Sequence, residues 1–287
     1  MKQVRIYEVG PRDGLQNEPD LVPTEQKIKL INLLSTAGFK YIETTSFVSP
    51  KWVPQMEDAT QVLTQINRIS GVTYAALTPN LKGLEAAMAA GADEVAIFAS
   101  ASETFSQKNI NCSIQESIER FKAVAKAALT AGKTIRGYVS CIVGCPYEGG
   151  ISPNTVERVT HELLRLGCYE VSLGDTIGIA KPDQISNVLD HLLRHIPAAK
   201  LAGHFHDTGN QALLNVEASL RYGLRTFDSA VGGLGGCPYA PGAKGNVSTM
   251  SLVEMLEKAG WSTGIDIDRL RTAETFLHKE IGGFSTR

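Results

Sequence analysis

The chain has 287 residues, 43% hydrophobic and 20% charged, with a formal net charge of -2. That balance describes a globular protein with a sizeable core and excludes the basic footprint of a nucleic-acid binder or of a protein drawn to an acidic membrane surface. No apolar run approaches membrane-spanning length.

The N-terminus leads from Met1-Lys2-Gln3 directly into a predicted strand, with neither a signal peptide's apolar core nor an Arg/Ser-rich transit segment. Five cysteines, Cys112, Cys141, Cys145, Cys168 and Cys237, cannot all pair within one chain. They are expected as thiols in a reducing compartment, with the cytoplasm as the default.

Strand one is expected over 3–9 and runs into Gly10-Pro11-Arg12-Asp13-Gly14, which sets a guanidinium and a carboxylate where strand meets loop. A helix follows at 24–37, with Thr24 near its start. Ala37-Gly38 ends it before the strand Tyr41-Ile42-Glu43. Apolar periodicity then predicts helix 55–68, strand 72–78 and helix 80–90. Ala90-Gly91 leads to strand 94–98, and helix 113–131 closes at Ala131-Gly132 before strand 134–139. Helix 153–166 starts at Ser152-Pro153, with proline at the first helical position, and Leu166-Gly167 precedes strand 169–173. Helix 182–195, strand 200–206 and helix 210–222 come next. Tyr222-Gly223 precedes strand 225–228, and a helix is expected at 249–260. Each glycine in this recurring phrase suits the left-handed residue that stops a helix and turns the chain into the next strand.

Eight βα units without a linker or low-complexity run predict a single (β/α)₈ TIM barrel over 1–287, with 261–287 as an extra C-terminal helix. A doubly wound open sheet is the rival. It would normally carry a glycine fingerprint after strand one, and Pro11 with two charged neighbours makes a poor pyrophosphate cradle.

In such barrels the chemistry gathers at the C-terminal strand ends. Arg12-Asp13 follows strand one, Glu43 to Ser46 end strand two, and Cys141 follows strand five. Asp175 follows strand six, His204 and His206 end strand seven, and Asn246 lies in the loop after strand eight. His204 and His206, two apart in a strand, project to one face. Taken singly, each residue has a structural reading: a satisfied core histidine, Asp13 as a helix cap or Arg12 partner, Glu43 and Asp175 as interior ion pairs, Asn246 as a turn residue. Together they point to one site. Asp13, His204, His206 and Asn246 would combine two nitrogens with hard oxygens, which favours Mg²⁺ or Mn²⁺, with Zn²⁺ or Co²⁺ as substitutes. Arg12 is set to stabilise an oxyanion. Cys141 and Cys145 lack the second cysteine pair of a zinc site. The glycine-rich loop 232–245 carries Cys237 and reads as a lid delivering a proton donor, or as an ordinary loop with a thiol.

Several long motifs resemble the 3-hydroxy-3-methylglutaryl-CoA lyase family. They are Glu8 to Glu18, Ile42 to Gln55, Lys108 to Ser113, Tyr138 to Tyr147, Leu173 to Gly178 and the Cys237 loop. The wider superfamily includes isopropylmalate and homocitrate synthases, which carry Glu after Arg-Asp-Gly. Here Leu15-Gln16 follows, as in the lyase branch. The resemblance implies metal-dependent cleavage of 3-hydroxy-3-methylglutaryl-CoA to acetyl-CoA and acetoacetate, the chemistry of leucine degradation and ketone-body metabolism, by a homodimer. It implies metal ligands Asp13, His204, His206 and Asn246, with Arg12 on the enolate oxygen and Cys237 as lid acid/base. Glu43, Ser46 and Asp175 would orient ligands and substrate, and Asn109 would join Arg12 and Ser46 in substrate binding. Asp13 and His204 both remain open as the group that takes the hydroxyl proton.

The chain departs from the family at Met250-Ser251, where Glu-Asp is usual. A missing carboxylate there is expected to bear on the support of Asn246. It keeps open a lyase for a longer 3-hydroxy-3-alkylglutaryl-CoA, and an inactive barrel used for binding is the reading from another class.

Overall fold

A computed structural model describes residues 2–236 and 245–281. Eight parallel strands close into a barrel in sequence order: β1 (Arg5–Glu8), β2 (Tyr41–Ser46), β3 (Thr73–Leu77), β4 (Glu94–Ser100), β5 (Thr134–Ser140), β6 (Glu170–Asp175), β7 (Leu201–Phe205) and β8 (Thr226–Ser229). The pairing of β8 with β1, Thr226 opposite Arg5 and Ser229 opposite Glu8, closes the ring and rules out the open doubly wound sheet. The described helices are α1 (Thr24–Thr36), α2 (Ala59–Gln65), α3 (Leu81–Ala89), α4 (Glu103–Ile110), α5 (Ile114–Thr130), α6 (Pro153–Arg165), α7 (Pro182–Leu192), α8 (Ala212–Arg221), α9 (Thr249–Lys258) and α10 (Ile267–Phe276). The apolar core draws Leu30, Ile31 and Leu34 from α1, Ile42 from β2, Phe121 and Val124 from α5, and Val95 and Ile97 from β4.

The recurring helix-stop glycines do what their position requires. Gly38, Gly91, Gly132, Gly167 and Gly223 all have φ between 69° and 102°, the left-handed region where a side chain is strained. Ser152 caps α6, its Oγ accepting from Asn154 N at 3.3 Å, with Pro153 in the first turn. Thr24 opens α1 without capping it, because its hydroxyl donates instead to Asp58 Oδ2 at 2.8 Å.

Three segments differ from the sequence reading. The expected helix 55–68 is a short 3₁₀ turn, Pro54–Met56, followed by α2. Residues 103–110, to which the sequence reading assigns no element, form α4, capped by Ser102 Oγ accepting from Phe105 N at 3.0 Å. The expected helix from 261 is first a strand, Trp261–Ser262, paired in parallel with Lys2–Gln3, and only then α10.

Unlike the apolar strand–helix layer, the barrel's interior is strongly polar. Arg136 of β5 is fully buried between Glu170 and Asp228, with Nε to Glu170 Oε1 at 3.0 Å and Nη2 to Asp228 Oδ1 at 2.7 Å. Tyr7 of β1 donates to Glu94 Oε1 at 2.7 Å. Buried charges persist only when paired, and these are.

Candidate active site and metal centre

The turn after β1, Gly10–Gly14, is a tight π-type turn in which Val9 O accepts from the backbone N–H groups of Arg12, Asp13 and Gly14 at 3.1, 2.8 and 3.2 Å. The turn aims Asp13 across the barrel mouth at the end of β7. His204 Nε2 lies 3.7 Å and His206 Nε2 3.8 Å from Asp13 Oδ2, and the two Nε2 atoms are 3.3 Å apart. One ligand atom from each of Asp13, His204 and His206 lies within 4.8 Å of the others, so the three can hold a metal ion. Asn246 completes the group, with Nδ2 donating to Asp13 Oδ2 at 2.8 Å and to Leu234 O at 3.1 Å. The four residues named from the sequence therefore lie together, Asn246 meeting Asp13 through its amide NH₂.

Their surroundings fit a cation. Buried Asn246 Oδ1, His206 Nδ1, Asp175 Oδ1, Glu43 Oε1 and Ser46 Oγ lack a hydrogen-bond partner among the described residues. Unpaired buried polar atoms cost about 1–3 kcal/mol each, so such a group around one mouth is a site that binds something polar. The Asp13 carboxyl, although burial works against its charge, is held well below the usual range by Arg12 and the two imidazoles.

Arg12 is buried against Glu43, with Nε and Nη2 donating to Glu43 Oε2 at 2.7 and 2.6 Å, and Nη1 engages Asp13. Burial disfavours the guanidinium's charge, but the Glu43 and Asp13 carboxylates outweigh it and raise its pKa. Glu43 itself is pushed up by burial, against the pull of Arg12. Its placement relies on a bulge in β2. Register with β3 shifts between Glu43 and Thr45, so two residues of β2 span one of β3. The extra residue changes the phase of alternation and lets Glu43 and Ser46, three apart, serve the same face.

Asp175 ends β6, where Oδ2 accepts from Ala180 N at 2.9 Å and burial raises the carboxyl's pKa. Asn109 is an exposed residue of α4, the helix that follows β4. Cys237 lies outside the described residues. The described residues flanking it reach the site: Asn17 Nδ2 donates to Gly236 O at 2.9 Å, and Gly235 passes so close to Asn246 that a Cβ would fall 2.8 Å from its Nδ2. Cys112, Cys141, Cys145 and Cys168 are buried thiols.

Sequence reasoning missed the layer beneath. Asp228 of β8 accepts from His204 Nδ1 at 3.1 Å and Ser172 Oγ at 2.7 Å, besides Arg136. Burial would raise its pKa, yet Arg136 and His204 hold it down to about 2. Tyr138 accepts from Arg136 Nη1 and donates to Glu43 Oε2, both at 3.0 Å. Arg136 thus supports both His204 and, through Tyr138 and Glu43, Arg12. Alternation along β5 and β8 could have flagged Arg136, Tyr138, Thr226 and Asp228 as one-face residues. The departure at Met250-Ser251 does not reach Asn246. Met250 packs on the apolar core, and Ser251 is exposed in the first turn of α9.

Residues 3–277 match the family described as HMGL-like. The chain is 58% identical over 276 residues to the mitochondrial hydroxymethylglutaryl-CoA lyase of Pongo abelii, covering 96% of this chain and 85% of that one. The HMG-CoA lyase structure from Brucella melitensis superimposes with a TM-score of 0.95 at 58% identity, covering 96% and 98% of the two chains. An HMG-CoA lyase from Acinetobacter baumannii, solved with coenzyme A and 3-methylmalate, gives 0.91 at 42% identity, covering 96% and 90%. The chain belongs to the HMGL-like family.

Proposed function

We propose that the chain is a divalent-metal-dependent carbon–carbon lyase that cleaves 3-hydroxy-3-methylglutaryl-CoA into acetyl-CoA and acetoacetate. The observation that carries this reading is the meeting of Asp13, His204, His206 and Asn246 at one barrel mouth, in a chain whose relatives bear that enzyme's name. These four residues would hold the cation, and their mixed nitrogen and oxygen donors favour Mg²⁺ or Mn²⁺. A cation bound there would polarise the substrate's C3 hydroxyl and a neighbouring carboxylate.

In the reaction the C3 hydroxyl loses its proton and the C2–C3 bond breaks. C3 becomes the ketone carbon of acetoacetate, and the bonding electron pair moves into the thioester as an enolate. A proton delivered to C2 completes acetyl-CoA. Asp13 and His204 are the two candidates for taking the hydroxyl proton. Arg12 spends three of its five N–H donors on Glu43 and Asp13, and we assign the remainder to the enolate oxygen. Cys237 is assigned the proton delivery and Glu43 and Asp175 the orientation of the site, while Ser46 and Asn109 contact substrate.

We further read residues 1–287 as one catalytic domain working as a cytoplasmic homodimer. No described helix is long and apolar enough to cross a membrane. The test is a paired assay of both products from 3-hydroxy-3-methylglutaryl-CoA, with a 3-ethyl analogue alongside. Equal release of acetyl-CoA and acetoacetate is expected. Faster turnover of the analogue would shift the assignment to a longer-chain substrate, and no cleavage of either would remove the lyase reading.

A further inference from the structure

Two histidines that hold one cation must each turn a lone pair toward it, so which ring nitrogen carries the proton decides whether a ligand is ready. In a neutral imidazole the proton sits on one nitrogen, fixed by the partner of that nitrogen. His204 has such a partner. Its Nδ1 lies 3.1 Å from Asp228 Oδ2, a carboxylate oxygen that can only accept. His206 has none, because its buried Nδ1 lacks a partner among the described residues.

Asp228 is itself held from three sides. Arg136 Nη2 donates to Oδ1 at 2.7 Å, Arg136 Nη1 to Oδ2 at 3.1 Å, and Ser172 Oγ to Oδ2 at 2.7 Å. Arg136 is anchored in turn by Glu170. The carboxylate is fully buried on β8, beneath the ring it meets.

We infer that Asp228, locked by Arg136 and Ser172, is a positioning residue that keeps the proton of His204 on Nδ1 and presents its Nε2 lone pair at the barrel mouth, while His206 is left to adjust. The inference rests on the metal-holding role proposed above for His204. With both rings neutral and no metal bound, the 3.3 Å contact between the two Nε2 atoms then has a defined sense: His206 Nε2–H donates and His204 Nε2 accepts. That leaves His206 Nδ1 as a bare acceptor, in keeping with its lack of a partner.

Asp228→Asn separates this role from bulk packing, since size and shape barely change. If the amide oxygen stays on Arg136 Nη2, the amide NH₂ takes the place of Oδ2: the longer Arg136 Nη1 contact is lost, Ser172 Oγ can turn to accept, and the NH₂ faces His204 Nδ1. The proton must then move to Nε2. The reverse orientation sets NH₂ against Arg136 Nη2, donor against donor at the shorter of the two guanidinium contacts.

The experiment records the ring ¹⁵N shifts of His204 in the chelated parent protein and in Asp228→Asn, at an alkaline pH where the shifts themselves report a neutral ring. Mn²⁺ binding is measured by calorimetry on the same samples. The parent is expected to show Nδ1–H and the variant Nε2–H, with Mn²⁺ affinity down about 10–100-fold. A parent ring protonated on Nε2, or a folded variant with parent tautomer and parent affinity, overturns the inference. Should Asp228→Asn not fold, the parent spectrum still decides, and Ser172→Ala is expected to weaken Mn²⁺ binding about threefold or more, given one lost hydrogen bond to the carboxylate. A parent that binds no Mn²⁺ would defeat the metal reading and leave the tautomer result standing on its own.

Discussion

Glu8 and Thr249, 241 positions apart, are joined by a 2.7 Å hydrogen bond from Thr249 Oγ1 to Glu8 Oε2. The other carboxylate oxygen accepts from Gly10 N at 2.8 Å and Val231 N at 2.9 Å. One buried carboxylate therefore ties the turn that carries Arg12 and Asp13 to both ends of the excursion that carries Asn246. No cation appears among its hydrogen-bonding partners in the described residues, and burial pushes its pKa up to about 7 despite these three donors.

This raised value fixes the sign of a pH effect. Folded Glu8 keeps its proton up to about pH 7, whereas the unfolded chain releases it near 4.5. Between these values the folded state binds the extra proton, so stability falls as pH rises, by on the order of 3 kcal/mol in all. Glu8→Gln should remove this component. Its amide oxygen can still accept from Gly10 and Val231, and its NH₂ can donate to Thr249. Urea unfolding of parent and variant at about pH 5 and pH 8 reads the difference, because other titrating groups cancel in the comparison. Equal pH dependence in the two proteins would show that Glu8 ionises normally when folded.

For Arg12, the buried pairing with Glu43 and Asp13 predicts a donor fixed before substrate arrives. Arg12→Gln should lower kcat at least ~10²–10³-fold with a smaller change in KM, as expected of an interaction made mainly in the transition state. Lys should rescue partly, since a point charge cannot reproduce the fork on Glu43. Steady-state kinetics decide. Unchanged kcat with raised KM would make Arg12 an anchor for the bound substrate only.

Cys237 is predicted to deliver the proton that completes acetyl-CoA. General acid–base work of this kind contributes roughly 10²–10⁴ in rate, and Cys237→Ala should lose activity on that scale while keeping fold and Mn²⁺ affinity. Alkylation should inactivate the parent, more slowly with a substrate analogue and Mg²⁺ bound, at a site mapped by peptide mass. Cys112, Cys141, Cys145 and Cys168 are buried, so modification there should lag. A Cys237→Ala protein that turns over at the parent rate would leave the loop without chemistry.

The barrel was legible because its punctuation is local. A small residue and glycine ending each helix is a backbone requirement, and the five glycines identified that way all adopt positive φ. The His204–His206 pair was legible because period-two alternation is a property of one strand. What stayed hidden depends on more than one strand. Asp228 matters because β7 and β8 are neighbours, and Arg136 because β5 faces β8 across the interior. The bulge that lets both Glu43 and Ser46 serve the mouth is a mismatch between β2 and β3, which neither strand announces alone. The short α4 leaves little apolar period to detect, since only Phe105 and Ser106 of its residues are buried.

The most direct test of the account is turnover and ion binding measured together on exhaustively chelated protein titrated with Mn²⁺. Cleavage of 3-hydroxy-3-methylglutaryl-CoA should be absent at the start and rise in proportion to one bound ion. His204→Ala and His206→Ala should bind Mn²⁺ weakly and stay near background, because each loses one of few protein ligands. Full activity of the chelated parent, or parent-like Mn²⁺ affinity in both histidine variants, would contradict a metal centre at Asp13, His204, His206 and Asn246.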